Sequence, residues 1–365
     1  EPVPLAFELE NLADQAVRVL RWHTPLEGIA NRIFRVTLDG EDLPYQGILA
    51  RRGTPSRNDY VTVDAGEAVN VQVDLSTSYD LSEPGEYRVE FLPPFASHLL
   101  SVDEPLAKSL DELYRAEIQP EPVSFRVSTG EPRATSARPT PVGPPEGPAE
   151  LPLEFEAKTI SYASCSTSVK SDVADSDTGA GFNSAFAHAY LDGLSAAERS
   201  SNQLYKRWFG SYTQARFNKV VGNLSTIADT FENKDISYNC AGPLCQPSYY
   251  AYVYPGGKLE VFLCQQFWNA PTSGSDTRWG TLIHEVSHEV AGTDDHAYGQ
   301  TSCKNLASND PDKAVENADT YLYFVEEYIL DLAAGCNAIF EAFQQGRAGL
   351  KTAARQLRVS NMFRR

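Results

Sequence analysis

The chain has 365 residues, 42% apolar and 22% charged, with a net charge of −18. That length suits two domains, since a single core stops growing near roughly 250–300 residues, and the composition is that of a soluble globular protein. A strongly acidic chain lacks the clustered lysines and arginines that phosphates require, so no nucleic-acid partner is expected. No stretch approaches the roughly 20 continuous apolar residues of a membrane helix, so no membrane partner is expected either.

The opening residues EPVPLAFELE lack the basic-then-apolar pattern of a secretory leader, which implies that none existed or that it has been removed. From there Arg18–Trp22, Arg32–Leu38, Tyr60–Val63, Val69–Val73 and Tyr87–Leu92 alternate apolar with polar residues, separated by turn signals at Asp39, Asp64 and Glu83. Short alternating strands at this spacing predict an antiparallel β-sandwich over residues 1–128. His23 and His98 within it read as structural histidines. Residues 129–157, dense in Pro, Gly, Ser and Thr, read as an extended linker.

Beyond the linker the pattern changes. Ser184–Leu194, Ala197–Phe209 and Phe217–Phe231 carry helical apolar spacing, whereas Tyr249–Phe262 reads as a hairpin around a PGG turn. Residues 158–340 are therefore expected to form an α+β domain, mainly helical with a small antiparallel sheet. His188, on an apolar-spaced segment, reads as structural. Residues 341–365 form a basic tail with Arg347, Lys351, Arg355, Arg358, Arg364 and Arg365 and no acid after Glu341. It is read as a solvated helical extension, with a removable targeting or docking segment as the alternative.

All six cysteines, Cys165, Cys240, Cys245, Cys264, Cys303 and Cys336, fall in the second half. An even number confined to one domain favours disulfides and an exported protein. A zinc-thiolate cluster is disfavoured because no Cys-x-x-Cys pair occurs. Spacing alone leaves the connectivity open.

The chemistry is concentrated in TLIHEVSHEVAGTDDHAYGQ, residues 281–300. Ser275 or Asp276 can cap a helix whose buried stripe is Trp279, Leu282, Ile283, Val286 and Val290. His284 and His288 then stand one turn apart on another face, so both imidazoles can point at one metal ion. Glu285, about 100° round the helix, can reach an attacking water without ligating. This is the HExxH arrangement of zinc peptidases.

A catalytic zinc wants a third protein ligand. A layout with glycine three residues after the second histidine and a methionine turn fails, because position 291 is Ala and Met362, in the tail, is the sole methionine. Glu316, on a later segment, is one candidate. The nearer ones are Asp294 and Asp295, if Gly292 ends the helix at positive φ and turns the chain back.

The run HEVSH followed by GTDDHAYG resembles the aspzincins, the family of deuterolysin and the fungal peptidyl-Lys metalloendopeptidases, whose signature is HExxH followed by GTxDxxYG. The likeness extends over about Ser161–Tyr328 and includes SYASCS, RWFGSY, LCQQFWNAP and DPDKAVENAD. It implies a zincin-like catalytic domain acting on protein or peptide substrates. Within it His284, His288 and Asp295 would bind one Zn2+, Glu285 would be the base and Tyr298 would stabilise the oxyanion. His296 would be a variable, non-ligating position. The resemblance further implies disulfides Cys165–Cys240 and Cys245–Cys264, leaving Cys303 with Cys336 as the third.

In the peptidyl-Lys branch an acid in the NAD segment selects lysine at P1', and Asp319 stands there. The companion acid three residues on is replaced by Leu322, so a lysine preference is expected with room for arginine or uncharged side chains. A broader, deuterolysin-like specificity is the alternative. Because aspzincins are made with a pro-region, residues 1 to about 157 are expected to be a propeptide acting as an intramolecular inhibitor of a secreted, latent proenzyme. Processing is expected at Ala157–Lys158. The alternative is a permanent binding sandwich.

Overall fold

The computed structural model describes residues 2–92, 99–113, 120–128 and 158–344, with side chains to 334. The linker with Ala157, His98, Cys336's side chain and the tail beyond 344 lie outside the described residues.

The N-terminal region carries strands β1 (Pro4–Glu10), β2 (Val17–Leu20), β3 (Phe34–Leu38), β4 (Glu41–Asp42), β5 (Leu49–Arg52), β6 (Tyr60–Val63), β7 (Ala68–Asp74), β8 (Gly85–Phe91), β9 (Leu99–Ser101) and β10 (Val123–Val127). The alternation read from sequence is visible in their burial, for example in β8, where Tyr87 and Val89 are buried and Glu86 and Arg88 exposed. A β1–β7 pair stands against a sheet of order β10-β8-β3-β4. Phe7 and Phe34 both meet Phe91, with ring centroids 6.4 and 5.0 Å away. The result is sandwich-like, but a third sheet, β6-β2-β9, lies beside it. The main departure is β5, which joins none of the three.

The second region carries β11 (Ile160–Ala163), α1 (Thr167–Asp192), α2 (Ala196–Ser201), α3 (Gln203–Phe209), α4 (Gln214–Asn233), β12 (Ile236–Asn239), β13 (Tyr249–Val253), β14 (Glu260–Leu263), α5 (Gln265–Asn269), α6 (Arg278–Ala291), α7 (Gln300–Asn309), α8 (Pro311–Ala314) and α9 (Ala318–Gln344). Helix α4 shows why these form: Thr213 accepts from the Arg216 N–H as its cap, and Phe217, Val220, Leu224, Ile227 and Phe231 make one buried stripe. Each such side chain contributes about 1.5–3 kcal/mol. The single helix predicted over Ala197–Phe209 is broken at Asn202, which leaves helical backbone (ψ 117°) and caps α3 through the Tyr205 N–H.

The sheet of this region runs β11-β12-β14-β13-β5. The expected antiparallel sheet is corrected to a mixed one: its first three strands are parallel, because helices α1–α4 cross over between β11 and β12, and β13 returns antiparallel to β14 in the predicted hairpin. Its last strand is β5, contributed by the N-terminal region and antiparallel to β13, with Tyr252 opposite Ala50 and Tyr249 opposite Arg52. Two disulfides form, Cys165–Cys240 and Cys245–Cys264. The third expected pairing is corrected. Cys303 is a free, buried thiol accepting from Asn317 Nδ2 at 3.4 Å. Cys336 lies about 28 Å further along from Asn317 at 1.5 Å per residue of α9, far beyond disulfide reach.

Candidate active site

Helix α6 begins at Thr277, not at Ser275 or Asp276 as predicted: Thr277 Oγ1 accepts from the Gly280 N–H at 2.9 Å. Gly280 itself is required by packing, since a Cβ there would stand 2.5 Å from Glu326 Oε1 and 3.2 Å from Leu322 Cγ on α9. Leu322, one turn after Asp319, thus serves the α6–α9 contact. The helix ends at Gly292 with φ 61° and ψ 35°, the left-handed stop the sequence suggested. The chain then doubles back. Asn317 Oδ1 accepts from the His296 and Ala297 N–H groups, both at 2.8 Å, which fixes the loop that carries Asp295 and Tyr298.

This local folding brings His284 Nε2 and His288 Nε2 to 3.1 Å from each other. Asp295 Oδ1 lies 3.2 Å from the first and 3.5 Å from the second. A tetrahedral zinc with ligand bonds near 2.0–2.1 Å sets its donors about 3.3 Å apart. The three atoms therefore fit the edges of such a site. Each Nδ1 is held elsewhere, His284 on Asp319 Oδ1 at 2.8 Å and His288 on the Thr293 carbonyl at 2.9 Å, so that Nε2 faces inward. Asp295 Oδ1 has no hydrogen-bond partner among the described residues, as expected of an oxygen reserved for a cation. Glu285 also lies within 4.8 Å of the imidazole pair, but Asp295 has the shorter, ligand-like distances. Glu316, the other candidate, is on the surface and pairs with Lys219 at 2.6 Å.

Burial disfavours a charge on His284, yet Asp295 and then Asp319 overcome it and raise its pKa to about 9. Burial would also raise Asp295, but His288 and His284 pull it below the usual carboxylate range. A divalent cation competes with the proton on this set. Glu285 is fully buried, and neither carboxylate oxygen makes a hydrogen bond among the described residues. Burial lifts its pKa to about 8, suited to an acid/base working near neutrality. The Arg51 backbone N–H faces this carboxylate and lowers its pKa without reaching full hydrogen-bond geometry.

Sequence reasoning missed what β5 does here. Tyr298 Oη donates to the Ala50 carbonyl at 2.8 Å and accepts from Asn31 Nδ2 at 2.7 Å and Arg52 Nη1 at 2.8 Å. Asn31 also donates to Asp295 Oδ2 at 3.0 Å and accepts the Ala50 N–H at 3.2 Å. Arg51, fully buried, runs to Asp319, its Nε 3.1 Å from Oδ1. Arg52 is equally buried, with Nη2 on Glu27 at 2.6 Å. Two consecutive buried arginines were the one available signal, and a doublet is more often solvated. His296 and His188 take no part in the three-donor set. His23 stacks on Tyr298, ring centroids 5.5 Å apart.

Residues 194–326 match the family model described as lysine-specific metallo-endopeptidase. An extracellular protease of Aeromonas hydrophila is 34% identical over 89% of this chain and 88% of its own length. The chain belongs to the aspzincin family. This aspzincin is also 34% identical to a peptidyl-Lys metalloendopeptidase of Grifola frondosa over 79% of the chain and 74% of that protein. A solved zinc peptidase from Grifola frondosa aligns with 45% of the chain and 98% of itself, at 38% identity and a TM-score of 0.41. It is a metalloendopeptidase of a zinc-dependent family.

Proposed function

We propose that this aspzincin is the latent precursor of a secreted endopeptidase. In it His284, His288 and Asp295 hold one Zn2+, and residues 1–128 are an inhibitory propeptide. When bound, the zinc supplies a Lewis acid that activates water and polarises the scissile carbonyl. Glu285 takes the proton of the attacking water and delivers it to the departing amine. Tyr298 donates to the carbonyl oxygen as negative charge grows on it. Asp319 holds His284 in orientation and offers its carboxylate to a basic P1' side chain, lysine in the relatives named peptidyl-Lys metalloendopeptidase. Secretion is supported by the two disulfides and by a relative named extracellular protease.

The observation that carries this reading is the Ala50–Arg51 peptide. Its carbonyl receives the Tyr298 hydroxyl, its N–H faces Glu285, and its strand adds to the sheet edge β13. These are the contacts a substrate needs, supplied by the N-terminal region itself. Further ties hold that region down, including Ser248 Oγ on Asp59 at 2.7 Å and the Thr301 N–H on Asp111 at 2.9 Å. A permanent binding module has no reason to fill the cleft.

Processing at Ala157–Lys158 fits a cut before a basic residue. Lys158 Nζ is bound to Asp177 and to the Phe231 carbonyl rather than to Asp319, so this side chain does not occupy the pocket in the uncut chain. The test is to cleave the linker of the zinc-loaded full chain, displace the N-terminal region, and follow peptide hydrolysis. Activity should rise by orders of magnitude, and the new N-terminus should lie in 131–160. Equal activity before and after would remove the inhibitory role.

A further inference from the structure

The pocket that receives Arg51 has more partners than one basic side chain of lysine type can use. Arg51 Nε donates to Asp319 Oδ1 at 3.1 Å, Nη1 to Thr281 Oγ1 at 3.1 Å, and Nη2 to Asp276 Oδ1 at 2.5 Å. The guanidinium also lies 4.2 Å from the centroid of the Tyr250 ring. Three different nitrogens of one planar group are therefore satisfied by three different oxygens, above an aromatic face. An ammonium is a point charge and cannot span these positions at once.

Asp276 supplies a second negative charge to the pocket, in a chain where Leu322 replaces the companion acid of the peptidyl-Lys branch. It reaches the pocket from the turn before α6, where its backbone sits at φ 54°, a conformation costly for most residues but less so for aspartate. Tyr323 Oη donates to Asp276 Oδ1 at 2.7 Å and fixes the carboxylate. The Asp276 side chain is 38% exposed whereas Asp319 is fully buried. The pocket thus has a deep acid and a rim acid, spaced for the near and far nitrogens of a guanidinium.

We propose that the S1' pocket of this enzyme accepts arginine at least as well as lysine, with Asp276 as the residue that confers it. The proposal rests on the protease reading above. It takes Ala50–Arg51 as lying in substrate register, with Ala50 at P1 and Arg51 at P1'.

The test uses enzyme processed from the full chain and loaded with zinc. The substrates are internally quenched peptides differing only at P1', which is arginine, lysine or norleucine. Arginine should give a kcat/KM equal to or above lysine, with norleucine lower by about 100-fold, as expected for loss of a buried ionic partner. In Asp276→Asn the arginine value should fall about tenfold and the lysine value less than threefold, so that the ratio moves. A second measurement needs no variant: the peptide of residues 45–57 should be cut between Ala50 and Arg51, as read by mass spectrometry. Lysine favoured more than tenfold over arginine, an unchanged ratio in Asp276→Asn, or a cut at Arg51–Arg52 each overturns the assignment while leaving the protease reading intact. Failure to cut any peptide overturns both.

Discussion

The two regions contribute to the cleft in opposite ways. The catalytic region builds its site from one helix and the turn that follows: His284, Glu285 and His288 on α6, Gly292 as the stop, Asp295 and Tyr298 on the return. The N-terminal region adds Asn31, Ala50, Arg51 and Arg52, with His23 stacked on Tyr298, none of them in a catalytic sequence pattern. What separates them is sequence range. Asn31 meets Asp295 across 264 positions and Arg51 meets Asp319 across 268, whereas the metal set, from His284 to Asp295, spans 11. The metal-site geometry here is local, whereas the contacts on which the proposed latency rests are long-range and leave little trace in either partner's own sequence.

The sharpest way to test that division is to remove chemistry without removing closure. Glu285→Gln should lower kcat/KM of the processed enzyme by roughly 10²–10⁴-fold, the usual worth of a positioned acid/base. Zinc content by metal analysis should stay at one ion per chain, because Glu285 is not among the three fitted donors. Loss of zinc in this variant would mean that Glu285 is a ligand and Asp295 is not.

Closure without chemistry is tested in the uncut chain. Arg51→Ala leaves Asp319 without its guanidinium, and breaking a buried pair costs about 3–5 kcal/mol. Because Asp319 keeps His284 Nδ1 and the Gly299 N–H at 3.0 Å, the lower end of that range applies. Roughly 100-fold more of the uncut chain should then have an open cleft, seen as hydrolysis before the linker is cleaved. If the variant remains as silent as the parent, closure depends on Asn31 and Arg52 rather than on the pocket.

The same contrast explains what could be read from sequence. The HEVSH and GTDDHAYG runs were legible because helical periodicity and one left-handed glycine fix their geometry within a few residues. Strands β7 and β8 were legible because each keeps one face toward water and so alternates. Strand β5 is buried on both faces, with Leu49, Ala50, Arg51 and Arg52 all enclosed, so it has no alternation to detect. Its two arginines would ordinarily signal surface. Asp276 read as a helix cap because aspartate before a helix usually is one, but Thr277 took that role and freed Asp276 for the pocket. The Cys303–Cys336 pairing failed because helix α9 continues through Cys336, a length that no cysteine count contains.

The smallest effect belongs to the exposed edge of the interface. Arg32 Nη1 stands 3.7 Å from Asp294 Oδ2, with the two side chains 42% and 19% exposed. Both are sequence neighbours of decisive residues, Asn31 and Asp295. Proximity in sequence suggests importance, whereas solvent screening at such exposure argues that the pair contributes about 0–1 kcal/mol. Arg32→Ala should therefore change hydrolysis by the uncut chain by no more than about fivefold, and less still at high salt, where the parent's own pair is screened. A change near that of Arg51→Ala would show that surface charge steers the N-terminal region into place. The buried contacts of β5 would then be a consequence of closure rather than its cause.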